Sequence, residues 1–168
     1  PCILALRVCK EALHQAGLSL AVSLVVDSGE IRATHHVTTC IALGASAVCP
    51  RVALEIASNF QDKNEELSAS QKEKNLIKAL EQGLLKIMSK MGISVVRSYE
   101  NSQLLTVIGL NFDLVQKYFP RTAAYLSGIS MNELVNIMIQ KHQKIHQHSE
   151  ENQIYNSYLY KEHPRGLL

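Results

Sequence analysis

Tryptophan is missing from this 168-residue sequence, and phenylalanine and tyrosine bring the aromatic share to only 5%. A platform for stacking nucleic-acid bases needs several exposed aromatic faces, so the shortage argues against one. Charge is scarce as well. Only 19% of residues are charged, and 17 basic against 15 acidic groups leave a net +2, too mild a surplus for a phosphate-backbone footprint. No nucleic-acid partner is expected. The glycines are few and isolated: G-x-G-x-x-G, G-x-x-x-x-G-K and G-x-S-x-G are all missing, which removes the phosphate-cradling loops and the nucleophile elbow. Cys2, Cys9, Cys40 and Cys49 contain no C-x-x-C pair. Free thiols in a reducing, cytoplasmic setting are expected rather than a disulfide framework. The longest charge-free stretch, between Arg32 and Arg51, is interrupted by His35, His36, Gly44 and Pro50, so it is expected to be buried in protein and not in a membrane. No basic region precedes the apolar Cys2–Leu6, which makes a poor signal peptide.

What is present suffices for one domain with a core, since 46% of residues are apolar. The distribution is uneven. Every Phe and Tyr lies at position 60 or later, and residues 1–60 carry only Arg7, Lys10, Arg32 and Arg51 as cations. An aliphatic, nearly uncharged first third is the composition of elements covered on more than one face. The chain is short for that task, so other polypeptide is expected to cover them.

Periodicity reads as alternating β/α. Residues 2–16 have a helical stripe (Leu6, Cys9, Leu13) stopped by Gly17. Leu20–Val26 is a short apolar run read as a strand, followed by a helix from Glu30 to Leu43, a very short strand at Ser46–Cys49, and a helix from Pro50 to Asn59. Gln61–Ala69 is a loop. Ser70 and Glu73 suggest a capping box for a long helix ending at Gly92, then a strand at Ile93–Arg97 and helices near 101–109 and 112–118. Ser130 and Glu133 form a second capping box for a helix reaching about His148. The fold class expected is α/β: about three short strands in parallel β/α units covered by helices, as an incomplete barrel-like or open layered arrangement with a helix-rich C-terminal half. Residues 1–148 form one segment, and 149–168 read as an extended tail.

Few residues stand out chemically. His35 and His36 sit about 100° apart on a helix, so one metal cannot take both from one face. A tuned acid or base, or a buried hydrogen-bonded histidine beside an exposed one, are the two readings. His142 and His146 share a face with His148 nearby, yet no carboxylate or Cys supports them, and a solvated helix end fits better. Arg97 and Tyr99 follow the expected strand at Ile93–Arg97, where open α/β sheets place ligand groups. His35, His36, Arg97 and Tyr99 are therefore the site or interface candidates, with no catalytic, cofactor-binding or metal residue assigned.

Two stretches carry a resemblance. The run Gly83-Leu84-Leu85-Lys86-Ile87-Met88-Ser89-Lys90-Met91-Gly92-Ile93-Ser94, continuing through Ser98-Tyr99, Gln103 and Ile108-Gly109-Leu110, resembles the central domain of glutamate synthase large subunits near its end. Val25-Val26-Asp27-Ser28-Gly29-Glu30, Arg32 and His35-His36, with Gly44-Ala45 and Pro50 at preserved spacing, is similar to the family's G-E-x-R-x-x-H-H block. Together they cover most of residues 1–135. The resemblance implies an α/β body between a glutaminase domain and an FMN-binding barrel, helping to connect two active sites between which ammonia travels. In the complete family enzyme, FMN and an iron–sulfur cluster serve glutamate synthesis from glutamine and 2-oxoglutarate; nothing here matches the glutaminase nucleophile or the cluster cysteines. Tyr158, Tyr160, Glu162 and His163 are similar to the barrel's entry, without the paired Gly expected before the Glu. The chain departs where the family has Gly-Ala-Gln-Ile-Phe-Glu (here Asn101-Ser102-Gln103-Leu104-Leu105-Thr106) and Ser-Arg-Ile-Gly-Gly (here Ala124-Tyr125-Leu126-Ser127-Gly128).

The expectation is a non-catalytic central-domain segment, a scaffold and ammonia-channel wall partnered by glutaminase and FMN-binding domains. The alternatives are a free-standing module that self-associates through its low-charge third, and a small enzyme built on Arg97, Tyr99 and His35.

Overall fold

A computed structural model describes residues 1–60 and 67–147, and the expected tail at 149–168 lies outside them. The described elements are α1 (Cys2–Gln15), β1 (Val25–Asp27), α2 (Thr34–Ala42), β2 (Ala47–Cys49), α3 (Arg51–Asn59), α4 (Ala69–Lys90), α5 (Val96–Tyr99), β3 (Thr106–Leu110), α6 (Phe112–Tyr118), β4 (Ala123–Ile129) and α7 (Met131–Gln147). The α/β class expected from the sequence is what forms. β1 pairs with β2 and β3 with β4, both in parallel, each pair joined through a crossover helix, α2 in the first and α6 in the second. Among the described residues there is no closed barrel and the two pairs do not join into one sheet.

Helix ends follow from local chemistry. Gly17, Gly44 and Gly92 all take positive φ, and each closes its helix with the same two bonds. At α4 these are Gly92 N–H to Ser89 O at 3.1 Å and Ile93 N–H to Met88 O at 2.9 Å, the paired pattern of a Schellman stop. Ser130 and Glu133 cap α7 reciprocally: Glu133 Oε2 accepts from the Ser130 N–H at 2.7 Å, and Ser130 Oγ accepts from the Glu133 N–H at 3.4 Å. The other capping expectation shifts. Ser68, not Ser70, caps α4 by accepting from the Gln71 N–H at 3.3 Å.

Other corrections have physical reasons. The expected strand at 93–97 does not form: Ile93 is committed to the Schellman turn, Ile93–Val95 has no neighbouring strand, and Val96–Tyr99 makes one helical turn. The helix expected near 101–109 is instead a turn followed by β3, because Asn101 and Gln103 both take left-handed φ, +57° and +54°, which no α-helix accommodates. The β-branched Thr106-Val107-Ile108 then extends and pairs with β4, a strand not anticipated. β1 is shorter than Leu20–Val26 because β2 offers only three residues to pair with. α2 begins at Thr34 rather than Glu30, after Ile31 has turned into the core at 1% exposure.

The core joins Leu6 of α1, Val37, Cys40 and Ile41 of α2, Met88 of α4, Tyr99 of α5, and Leu114, Val115 and Phe119 on and just after α6. Fully burying such side chains is worth about 1.5–3 kcal/mol each. α2 is its centre, with α4 on one side and α1 on another. Gly83 permits that crossing, since a Cβ there would lie 2.5 Å from the Thr34 side chain.

Candidate functional site

A buried cation, Arg7, holds the C-terminal end of α2. Arg7 is 2% exposed. Its Nε donates to Tyr118 O at 2.9 Å, and its Nη1 donates to Leu43 O at 3.2 Å and Asn101 Oδ1 at 3.4 Å. Tyr118 O and Leu43 O lie at the C-terminal ends of α6 and α2, where helix dipoles present partial negative charge. Burial lowers the Arg7 pKa, nearby Glu11 works the other way, and Arg121 adds to the lowering. The left-handed loop also donates to two carbonyls of α2's last turn: Asn101 N–H to Ile41 O at 3.0 Å and Gln103 N–H to Ala42 O at 2.9 Å. Buried Gln103 in turn accepts from Thr122 Oγ1 at 2.9 Å, tying this loop to the start of β4. The sequence reading missed Arg7 and Gln103 as structural centres. The scarcity of cations in residues 1–60 was the available signal.

The four sequence candidates do not gather into one site. Tyr99 is 3% exposed and belongs to the core; burial raises its pKa while a hydrogen bond with Thr38 works to lower it. Arg97 points to solvent and contacts Glu100 at 3.7 Å. His35 is exposed, and its backbone carbonyl accepts from Thr38 and Thr39. His36 accepts the Arg32 N–H through Nδ1 at 3.1 Å and lines a small cavity with Cys2, Glu30 and Cys40. A larger cleft of about 490 Å³ between α3 and α4 is lined by Ile56, Phe60, Leu76, Arg32 and Lys72 among others, and by none of the four candidates.

Large apolar side chains stand exposed on the strands and on α7. Val25 on β1 is 68% exposed, Ile108 on β3 69%, and Tyr125 and Leu126 on β4 78% and 62%. α7 likewise leaves Val135, Met138 and Ile139 exposed. Parallel strands are ordinarily covered on both faces, and apolar groups contiguous on a surface mark contact sites. The β3–β4 pairing is irregular here. Val107 pairs with Ala124 but Ile108 with Leu126, so Tyr125 is an extra residue on β4. A second shift follows before Leu110 and Ile129, where Gly128 meets Gly109 so closely that a Cβ would lie 2.2 Å from the Gly109 carbonyl oxygen.

Parallel β/α units joined through crossover helices place the chain in the α/β class. Residues 1–111 match the family described as the glutamate synthase central domain. The chain is 36% identical over 145 residues to the ferredoxin-dependent glutamate synthase 1 of Arabidopsis thaliana, covering 80% of this chain and 9% of that protein. It is 32% identical over 148 residues to the glutamate synthase [NADPH] large chain of Bacillus subtilis (strain 168), covering 88% of this chain and 10% of that one. The chain therefore belongs to the glutamate synthase central-domain family, and it spans about a tenth of the length of the curated relatives it matches.

The departure at residue 101 now has a physical reading. Asn101 stands where the resemblance has glycine, and its φ is +57°; asparagine is among the residues that tolerate this region best. The backbone requirement is kept although the glycine is not. The cysteines do not fit a cluster site: Cys9 is exposed, Cys49 lies on β2, and only Cys2 and Cys40 share surroundings. Among the described residues no group of three or more His, Cys, Asp or Glu side chains could hold a metal ion, and no helix is long and apolar enough to cross a membrane.

Proposed function

We propose that this chain is a non-catalytic central-domain segment of a glutamate synthase, an interdomain scaffold whose uncovered face forms part of the wall along which ammonia passes. The observation that carries this reading is the exposure of Val25, Ile108, Tyr125 and Leu126 on strands of parallel pairs, a surface that other polypeptide has to cover. The partners would be the glutaminase and FMN-binding domains of the same enzyme, with residues 1–148 as the segment and 149–168 leading toward the flavin domain. FMN and the iron–sulfur cluster would belong to those other parts; membership in the family and the relatives' names, ferredoxin-dependent and NADPH glutamate synthases, support this. The setting would be reducing and cytoplasmic, in keeping with four free cysteines.

A second reading is a self-associating module derived from that domain, favoured by the same exposed side chains. Supplying the purified chain with glutamine, 2-oxoglutarate and a reductant is expected to yield no glutamate, and turnover would refute the scaffold reading. Light scattering across a concentration series separates the two readings. A defined, saturable oligomer favours the module, whereas nonspecific association relieved by Leu126→Lys favours an uncovered wall.

A further inference from the structure

Two thiols far apart in sequence share one small cavity. Cys2 opens α1 and Cys40 sits in the last turn of α2; both line a pocket of about 160 Å³ together with Glu30, Ile31 and His36. Cys40 is 1% exposed and Cys2 is half-buried. The Cys2 backbone N–H donates to Glu30 Oε2 at 2.8 Å, which seats the first turn of α1 over the cavity. His36 is held on the cavity wall by the Arg32 N–H. Burial raises both thiol pKa values, that of Cys40 to about 11, and the neighbouring Cys2 thiol adds to the rise at Cys40.

We propose that Cys2 and Cys40 are a redox-closable pair, stapling α1 to α2 by thiol–disulfide exchange with a small-molecule disulfide. The half-buried Cys2 loses its proton and attacks one sulfur of the co-reactant; that S–S bond breaks and one thiolate leaves. Cys40, deprotonated in its turn, attacks the Cys2 sulfur and displaces the second thiolate. Two protein S–H groups are oxidised to one S–S bond, the small disulfide is reduced to two thiols, and the two protons end on the released sulfurs. Thiols held protonated attack slowly, so the pair responds to sustained oxidation and is not a fast couple. The pair stands independently of the scaffold reading.

The test incubates the folded chain with oxidised or reduced glutathione, then unfolds it in denaturant with iodoacetamide to block every free thiol and maps the peptides by mass spectrometry. The expected product with oxidised glutathione is a Cys2–Cys40 cross-linked peptide lighter by two hydrogens, reversible by dithiothreitol and accompanied by a higher melting temperature. Cys40→Ser is expected to stop at a Cys2–glutathione mixed disulfide. Cys2→Ser, which spares the core, is expected to leave Cys40 unmodified. Free, alkylatable Cys2 and Cys40 after prolonged oxidation of the wild-type chain overturn the proposal, as does Cys2 cross-linked to Cys9 or Cys49.

Discussion

Replacing Arg7 with methionine keeps most of the side chain's length and removes its donors. In the folded chain the guanidinium serves Tyr118 O at 2.9 Å and Leu43 O at 3.2 Å, with a longer contact to Asn101 Oδ1 at 3.4 Å. Hydrogen bonds from a charged donor contribute about 1.5–3 kcal/mol each, and a buried acceptor left without a partner costs a comparable amount. Against this, methionine removes the cost of burying a charge that makes no salt bridge among the described residues. The balance for Arg7→Met is a loss of about 2–4 kcal/mol, a large fraction of a domain stability of about 5–15 kcal/mol. Urea denaturation followed by far-UV circular dichroism reads it directly. With a slope near 2 kcal/mol/M, the midpoint falls by roughly 1–2 M and the slope stays constant. Arg7→Lys recovers only part, because an ammonium lacks the fork that spans two carbonyls. A midpoint within about 0.25 M of wild type for Arg7→Met, equivalent to roughly 0.5 kcal/mol, refutes the claim that this cation joins α1, α2 and α6.

Two further outcomes follow from local geometry. Gly128→Ala puts a Cβ 2.2 Å from the Gly109 carbonyl oxygen and has to move backbone, so it is expected to cost about 3 kcal/mol in the same urea assay; Ser127→Ala beside it stays within about 0.5 kcal/mol. The Ser130 N–H and hydroxyl bonds hold the exposed Glu133 carboxylate below its ordinary value of 4.5. A depressed folded-state pKa stabilises above the ordinary value and is lost as pH falls through the depressed one, so α7 loses helicity as pH drops below 4.5 and Glu133→Gln reduces this loss, both read by circular dichroism.

The legible parts of the fold were those written in local chemistry. Gly17 and Gly92 marked helix ends because a left-handed residue is needed at each, and Ser130 with Glu133 marked a start within four residues. The strands β3 and β4 were harder. Thr106–Leu110 fits a strand or a helix end by pattern alone, and what decides is pairing with residues after α6, together with the Gly109–Gly128 approach. Pairing partners do not appear in a local window. The candidate residues illustrate the same limit. Tyr99 read as a ligand group on the strength of a strand end, and the absent strand leaves it as core. Arg7 read as an ordinary cation because its acceptors are carbonyls of residues 43 and 118, and backbone carbonyls carry no sequence signature. Within the aliphatic first third, residues 31–45 hold much of the core, while Leu20 and Val25 stay exposed.

Oxidative footprinting of Ile108, Tyr125 and Leu126 tests the cover most directly, comparing the isolated 168-residue chain with the polypeptide as it is expressed in its own cells. Heavy labelling in the isolated chain and strong protection of the same side chains in the native polypeptide is the predicted result. Equal labelling in both would mean that nothing lies over these strands, and the account of the chain as an inner wall would be contradicted.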